Sequence, residues 1–257
     1  MNRLTQLFNT KKSDILSVYF TAGYPALNDT FRIITELEKR GADIIEIGIP
    51  FSDPIADGPV IQKSGTKALL NGMTLTLLFE HLKEIREYTS VPLVMMGYIN
   101  PILRMGVENF LEHAAQTGID GVIIPDLPPE EYIGKYKTLF QKAGIFNNFL
   151  ITPQTPDERL RQIDAWSEGF IYMVSSAATT GSRENFDTSQ LDYFKRVSDL
   201  NLETPRLIGF GVSNHNTFEQ ACKFSNGAII GSAFIKALGE NGSLAQKVGD
   251  FLGSIRA

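Results

Sequence analysis

The sequence predicts a single (β/α)8 barrel, the TIM-barrel fold, with an N-terminal helix and extra helices after the second and eighth strands. Short apolar runs rich in β-branched residues alternate with longer stretches of helical period, which is typical of repeated βα units around a parallel sheet. The chain has 257 residues, a length that suits one such barrel. No linker or block of charge divides it, so we expect residues 1–257 to form one domain.

Eight apolar runs are the predicted strands, and their number favours a closed barrel. The alternative is an open doubly wound sheet, which usually has fewer strands and a glycine fingerprint after the first one. Here the first run is followed by Thr21-Ala-Gly-Tyr-Pro25, which does not match G-x-G-x-x-G. The predicted strands are residues 15–20, 44–48, 93–96, 121–124, 149–151, 170–174, 206–209 and 228–230.

Helices are predicted between the strands from their period and from their start and stop signals. The helix over residues 31–40, for example, follows Asn28 and Asp29 and stops before Gly41, which are ordinary signals for a helix start and end. Residues 1–9 alternate polar and apolar side chains as a short amphipathic helix does. The other predicted helices follow Pro129 up to Gly144 and cover residues 159–166 and 217–224.

Two connections are longer than the others. The chain inserts residues 51–73 after the second strand, including a predicted helix over Pro59–Leu70, and residues 176–189 after the sixth. A short helical stretch, 234–238, follows the eighth strand. Both insertions follow the carboxyl end of a strand, the rim where barrels carry their active sites. Loops this long in a compact domain are usually functional.

Composition argues against several classes of function. The net charge is −5, and lysines and arginines are scattered rather than clustered, which argues against a nucleic-acid partner. No apolar run approaches the roughly 20 residues of a membrane span, and residues 1–9 lack the apolar core of a signal peptide; we expect a cytoplasmic protein. Cys222 is the only cysteine, and His81, His113 and His215 have no ligand spacing, so we predict neither a metal site nor a cofactor.

Glu46 is the one carboxylate in an apolar run, residues 44–49. In a strand, the period of two directs Ile44, Glu46 and Gly48 to one face, so Glu46 points into a core. Such a charge is costly unless a partner or a reaction uses it, which leaves a structural ion pair and a catalytic group both open. Asp57, in the inserted loop, either makes a turn before Gly58 or shares acid, base and electrostatic roles with Glu46.

Glycines after the seventh and eighth strands indicate an anion site. The seventh strand runs into Gly209-Phe-Gly-Val-Ser213 and the eighth into Gly231-Ser-Ala233. Glycines let backbone N–H groups approach an anion, and these two loops form the recurrent phosphate site of this barrel. The alternative is that the glycines only turn tight corners. Tyr172, in the sixth strand, is either a core tyrosine or part of the site, because the pattern does not fix its face.

Six segments, in order along the chain, resemble the α subunit family of tryptophan synthase. The most specific is Ile44-Glu-Ile-Gly-Ile-Pro-Phe-Ser-Asp-Pro-Ile-Ala-Asp-Gly-Pro59. The segments are spread along the chain in the family's order, and the similarity extends over essentially the whole length. The others are Thr21-Ala-Gly-Tyr-Pro25, Gly97-Tyr-Ile-Asn-Pro101, Ile124-Pro-Asp-Leu-Pro-Pro129, Gly209-Phe-Gly-Val212 and Ile230-Gly-Ser-Ala233.

The resemblance implies a lyase that splits indole-3-glycerol phosphate into indole and glyceraldehyde 3-phosphate. It implies Glu46 as general acid and base, Asp57 as second catalytic carboxylate and Tyr172 beside them. It further implies a pyridoxal-phosphate β subunit as partner, in an αββα tetramer. The implied phosphate ligands are Gly181, Gly209, Phe210, Gly211, Gly231 and Ser232, and the implied lining of the indole pocket is Tyr19, Ile61, Met96, Ile123, Thr180 and Phe210.

One segment departs from the family pattern. Where the family often has Ser-x-x-Gly-Val-Thr-Gly, this chain has Ser175-Ser-Ala-Ala-Thr-Thr-Gly181, and Ala178 in place of glycine is expected to stiffen the loop. Two other functions are weighed. One is a binding and regulatory subunit with little turnover, against which Glu46 and Asp57 count. The other is a neighbouring phosphate-binding barrel enzyme, which shares the phosphate loops but not the Glu46 segment.

Overall fold

Nine parallel strand segments form one sheet, and the sheet is the wall of a barrel. The computed structural model describes residues 1–175 and 185–256. The strand order is β5-β4-β3-β2-β1-β9-β8-β7-β6. The strands are β1 (Ile15–Thr21), β2 (Ile44–Gly48), β3 (Leu93–Met96), β4 (Gly121–Ile123), β5 (Phe146–Asn147), β6 (Leu150–Ile151), β7 (Ile171–Val174), β8 (Arg206–Gly209) and β9 (Gly227–Ile230).

The barrel closes where the chain passes from β5 to β6. These are the two ends of the sheet, yet only Asn148 and Phe149 separate them. The Asn148 N–H donates to the Val122 carbonyl on β4, while the Phe149 carbonyl accepts from the Tyr172 N–H on β7. The two short segments therefore act as one strand, and the predicted eight-stranded barrel is confirmed.

The Asn148 side chain joins the two sides of this seam. Its Nδ2 donates to the Val122 carbonyl at 3.1 Å, and its Oδ1 accepts from the Phe170 N–H at 2.9 Å. Gly121 and Gly169 flank it, and a Cβ on either would lie within 2.7 Å of the amide. The predicted fifth strand, 149–151, was therefore wrong in its bounds: the strand begins at Phe146 and is broken where a side chain takes over backbone pairing.

Helices surround the barrel, and several begin differently from the predictions. The helix predicted over 217–224 begins at His215 because the Asn214 side chain accepts from the Thr217 N–H and caps it. The helix after β9 begins at Ser232 rather than residue 234. The helices are α1 (Arg3–Thr10), α2 (Asp29–Lys39), α3 (Pro59–Leu70), α4 (Leu75–Leu82), α5 (Ile99–Met105), α6 (Val107–Gln116), α7 (Pro129–Glu131), α8 (Lys137–Ala143), α9 (Asp157–Trp166), α10 (Thr188–Asp199), α11 (His215–Cys222), α12 (Ser232–Leu238) and α13 (Leu244–Arg256), with a 3-10 turn at Ile85–Glu87 and a π-helical turn at Tyr132–Tyr136.

The amino-terminal end of the barrel is closed by a buried ion-pair network around Asp120. Its carboxylate, 3% exposed, accepts from Arg3 at 3.1 Å and Arg86 at 2.6 Å, and from the Leu93 N–H at 2.9 Å. The network ties α1 to β3 and β4, so the opposite end, where the strands finish, is left for a binding site. None of the helices described is both long and apolar enough to cross a membrane.

Candidate active site

A cavity of about 740 Å³ opens at the carboxyl ends of the strands. Most of the predicted site residues line it, and they come from β1, β3, β7 and the loops after β2, β8 and β9. Gly181 and Thr180 lie outside the described residues. The predicted residues on its wall are Tyr19, Asp57, Ile61, Met96, Tyr172, Phe210, Gly211, Gly231 and Ser232.

Glu46, Gly209 and Ile123 do not line the cavity wall. Glu46 and Ile123 are fully buried, and all three belong to the strands that support the wall. Glu46 pairs in register with Tyr19 of β1, and Ile123 pairs with Met96 of β3. Glu46 and Ile123 therefore lie directly beside residues that line the cavity, on the neighbouring strands.

Glu46 is a buried carboxyl group without a basic partner among the described residues. Its Oε1 accepts from the Ser17 hydroxyl at 2.7 Å, whereas its Oε2 has no hydrogen-bond partner in the described part of the chain. Burial raises the pKa of Glu46 to about 7, against the opposing effect of the Ser17 hydrogen bond. The ion-pair interpretation is thus not supported, and a group able to give and take protons near neutral pH remains.

Tyr19 and Tyr172 form the floor of the cavity by the same arrangement. Tyr19 on β1 reaches across to Gly48 on β2, where a Cβ would lie 2.1 Å from its hydroxyl oxygen. Tyr172 on β7 reaches across to Gly209 on β8, where a Cβ would lie 2.2 Å away. In both cases the glycine is two residues beyond the tyrosine's register partner, the diagonal position on the same face. Tyr172 therefore faces the interior.

The negative charges of Glu46 and Asp57 affect the pKa values of both Tyr19 and Tyr172. Burial first, and then the charges of Glu46 and Asp57, raise the pKa of the Tyr172 hydroxyl well above its usual value. Burial, then Asp57, Tyr98 and Glu46, also raise the pKa of Tyr19, and a hydrogen bond from Thr21 opposes them. Both phenols are therefore neutral, and they line the cavity together with Asp57.

Asp57 is held in the inserted loop by Tyr98, a residue whose role the sequence did not reveal. The Tyr98 hydroxyl donates to Asp57 Oδ2 at 3.1 Å and accepts from the Ala56 N–H at 2.9 Å. Burial raises the pKa of Asp57, and the Tyr98 hydrogen bond opposes the rise. Gly58, not Asp57, is the N-cap of α3, and no side chain caps that helix. Asp57 is therefore free to act on a ligand in the cavity.

The loops after β8 and β9 present backbone donors to the same cavity. Within the described chain, the N–H groups of Gly211, Gly231 and Ser232 have no acceptor. Phe210 and Gly211 have φ angles of 64° and 79°, the left-handed region that a non-glycine residue rarely occupies. Gly231 packs against the Tyr19 ring, with 3.3 Å from a would-be Cβ to a ring carbon. Three unpaired donors on one cavity wall are suited to an anion.

Comparison with known proteins decides the family. The profile of the tryptophan synthase alpha chain family matches residues 5–252. The chain belongs to the tryptophan synthase alpha chain family. It is 59% identical to the tryptophan synthase alpha chain of Flavobacterium johnsoniae over all of both chains, and 56% identical to that of Christiangramia forsetii over 100% of this chain and 99% of the relative.

Solved structures of tryptophan synthase alpha chains have the same fold. The alpha subunit from Legionella pneumophila superposes with a TM-score of 0.89 at 32% identity, covering 100% of this chain and 97% of that one. The tryptophan synthase A-subunit from Pyrococcus furiosus gives 0.87 at 38% identity, covering 96% and 99%. As a member of the tryptophan synthase alpha chain family, the chain is a lyase that carries out the α reaction of tryptophan biosynthesis.

Proposed function

We propose that the α reaction, the cleavage of indole-3-glycerol phosphate, is carried out by Glu46 as general acid and base and by Asp57 as second carboxylate. The observation that carries this assignment is the Glu46 Oε2 atom, which is fully buried and has no hydrogen-bond partner among the described residues. In that part of the chain, the Ser17 hydroxyl is the one group that donates to the carboxyl group. A pKa of about 7 makes both protonation states accessible at neutral pH.

The reaction is a retro-aldol cleavage in which no proton is gained or lost overall. The Glu46 carboxyl gives its proton to C3 of indole, which makes the ring a cationic indoleninium. The carboxylate then removes the proton of the side-chain hydroxyl, a C=O bond forms, and the electron pair of the breaking C–C bond returns to the ring. Indole and glyceraldehyde 3-phosphate leave, and Glu46 has its proton back. Each such transfer contributes roughly 10² to 10⁴ in rate.

Asp57 stabilises the positive charge that develops on the ring. Its carboxylate accepts the indole N–H, and the low dielectric of a closed site strengthens this interaction. The hydrogen bond from Tyr98 fixes the carboxylate. Tyr172 supports the ring from below. Ile61, Met96, Tyr19 and Phe210 line the cavity wall and supply the surroundings of the ring. Ile123, the register partner of Met96, and Thr180 remain predictions for the indole pocket.

The phosphate is bound by the loops after β8 and β9, which present backbone donors to the cavity. The N–H groups of Gly211, Gly231 and Ser232 are unpaired among the described residues and line the cavity. Gly209 and Phe210 complete the loop that carries Gly211, and Gly209 also makes room for Tyr172. Gly181 remains a prediction as a further ligand.

We also propose a cytoplasmic β subunit as partner, holding pyridoxal phosphate in an αββα tetramer, while this chain itself needs no cofactor. The fold is also that of tryptophan synthase from Mycobacterium tuberculosis, with TM-scores of 0.86 and 0.88 at 28% and 30% identity in two solved structures. Two large apolar side chains, Ile55 at 82% and Leu103 at 51% exposure, lie in the elements that follow β2 and β3. Exposed apolar groups at this rim suit a protein partner.

Indole release by the purified chain tests these assignments. The wild type is expected to form indole from indole-3-glycerol phosphate, and Glu46→Gln to form none while keeping its circular dichroism spectrum. Glu112→Gln, on the exposed face of α6, is the matched control and should keep full activity. Full turnover by Glu46→Gln would refute the role of Glu46. A wild type that never forms indole, yet accelerates a β subunit, would instead identify a regulatory subunit.

A further inference from the structure

Ser175 connects the end of β7 to the loop that follows β8. Its side chain is buried, 1% exposed. Ser175 Oγ donates to the Phe210 carbonyl at 2.5 Å and accepts from Gln190 Nε2 at 3.3 Å. The hydroxyl has one proton, so an N–H donor on one side leaves that proton for the carbonyl on the other.

Gln190 is itself oriented by the first turn of α10. The side-chain Oε1 of Gln190 accepts from the backbone N–H of Asp187 at 3.0 Å, and the backbone N–H of Gln190 donates to Asp187 Oδ1 at 3.0 Å. The two hydrogen bonds together form a capping box. Because the cap uses the amide oxygen, the amide nitrogen must be the group that faces Ser175. The direction of both hydrogen bonds in the relay is thereby fixed.

The relay acts on the peptide that supplies a phosphate donor. The Phe210 carbonyl and the Gly211 N–H belong to one planar trans peptide, so they point in opposite directions. Ser175 holds the carbonyl on one side, and the N–H on the other side has no acceptor among the residues described. Phe210 keeps a left-handed φ of 64°, a conformation that is costly for a non-glycine residue and persists only when neighbours impose it.

We propose that Ser175 and Gln190 are positioning residues for the substrate phosphate, acting by fixing the orientation of the Phe210–Gly211 peptide. The proposal rests on the proposed function of Gly211 as a phosphate ligand. Gly211 also leaves space for the relay, because a Cβ there would lie 3.5 Å from Ser175 Oγ and 3.8 Å from Gln190 Nε2. Gln190 also lines the cavity, whereas Ser175 does not.

Steady-state kinetics with indole-3-glycerol phosphate test the proposal. Ser175→Ala is expected to raise KM about tenfold with kcat within about twofold, because a misdirected N–H weakens substrate and transition state equally. Gln190→Met is expected to raise KM less, and the double variant to match Ser175→Ala, since Gln190 acts through Ser175. Ser225→Ala is the control: its hydroxyl also donates to backbone carbonyls, at 2.7 and 2.9 Å, but beside β9 at its amino-terminal end.

A second readout separates the relay from the chemistry. Inorganic phosphate should raise the Tm of the wild type and of Ser225→Ala, and should raise that of Ser175→Ala much less. Ser175→Thr restores the hydroxyl and should restore KM; if Ser175→Ala does not fold, Gln190→Met carries the test. An unchanged KM and phosphate shift in folded Ser175→Ala, or additive effects in the double variant, would overturn the proposal. A wild type stabilised by phosphate that forms no indole would refute the reaction and not the relay.

Discussion

Glu46 owes its chemistry to what its surroundings lack. One carboxylate oxygen is bonded to Ser17 and the other to nothing in the described chain, and no basic side chain there pairs with it. Burial therefore dominates and raises the pKa of Glu46 to about 7. A salt bridge would have lowered that pKa and left a carboxylate too weakly basic to exchange protons at neutral pH. Burying this carboxyl group lowers stability, and the proposed function gives that cost a catalytic purpose.

Replacing Ser17 by alanine should raise the pKa of Glu46 further. The hydrogen bond from Ser17 favours the charged form, so its loss is expected to shift the Glu46-dependent limb of the pH–rate profile upward by roughly half a unit to one unit. The measurement is kcat/KM against pH for both proteins. Ser167→Ala, which removes a hydroxyl bonded to the Ile163 carbonyl after α9, should leave the profile in place. A profile that moved to lower pH would contradict this account of Glu46.

The same carboxyl group should make stability depend on pH. Its folded pKa of about 7 exceeds the unfolded value near 4.5, so between these values the folded state binds the proton more tightly. The free energy of unfolding therefore falls as pH rises through this window. Glu46→Gln cannot ionise, and it should match the wild type at pH 4.5 and exceed it by roughly 1–3 kcal/mol at pH 8. Urea unfolding at both pH values checks this, and an equal difference at both would refute it.

Two pairs of neighbouring strands build the cavity floor by one device. In β1 and β2, and again in β7 and β8, a tyrosine lies across a glycine at the diagonal position of the next strand. The missing side chain lets a large ring lie flat over the inner face of the sheet. Gly209 thus has a purpose beyond the phosphate loop, and Gly48 has a purpose that the apolar pattern of β2 does not reveal.

Gly48→Ala should disturb the floor on the side of Glu46. The new Cβ would lie 2.1 Å from the Tyr19 hydroxyl oxygen, so the ring must leave its place. We expect a loss of about 1–3 kcal/mol in stability and at least a tenfold loss of kcat/KM, measured by urea unfolding and indole formation. Gly65→Ala in α3 is the control, because nothing lies within 4 Å of its Cβ; it should gain up to about 1 kcal/mol and keep its activity. Normal activity in Gly48→Ala would contradict the idea that the packing of Tyr19 across Gly48 shapes the site.

The sequence pattern alone was sufficient to predict the bounds of strands and helices that are marked by neighbouring residues. The bounds of β2, β3, β8 and α3 were predicted and are confirmed, because apolar runs and a proline at a helix start need no knowledge of the partner. The broken fifth strand was missed, since Asn148 reads as a turn residue until β4 and β7 are placed beside it. The role of Tyr98 was missed for the same reason, because its hydrogen bond to Asp57 joins two loops that become neighbours only in the folded barrel.

At the scale of the whole molecule, the two ends of the barrel have different tasks. The amino-terminal end holds Asp120 between Arg3 and Arg86. At the carboxyl end several polar groups are unpaired within the described chain, including Glu46 Oε2 and three backbone N–H groups. Stability and catalysis are therefore separable by position, as is common in this fold. The seam at Asn148 is one of the features that stabilise the barrel.

Asn148→Ala should weaken the whole barrel and leave the site's chemistry alone. The change leaves the buried Phe170 N–H without its acceptor and removes the donor to Val122, so we expect a loss of about 2–4 kcal/mol in the free energy of unfolding. Urea unfolding measures this loss, and kinetics at low temperature should show kcat and KM within about twofold of the wild type. Asn109→Ala, at an exposed position of α6, should change stability by less than about 0.5 kcal/mol. If Asn148→Ala unfolded at the same urea concentration as the wild type, backbone pairing alone, through the Asn148 N–H and the Phe149 carbonyl, would have to hold the seam.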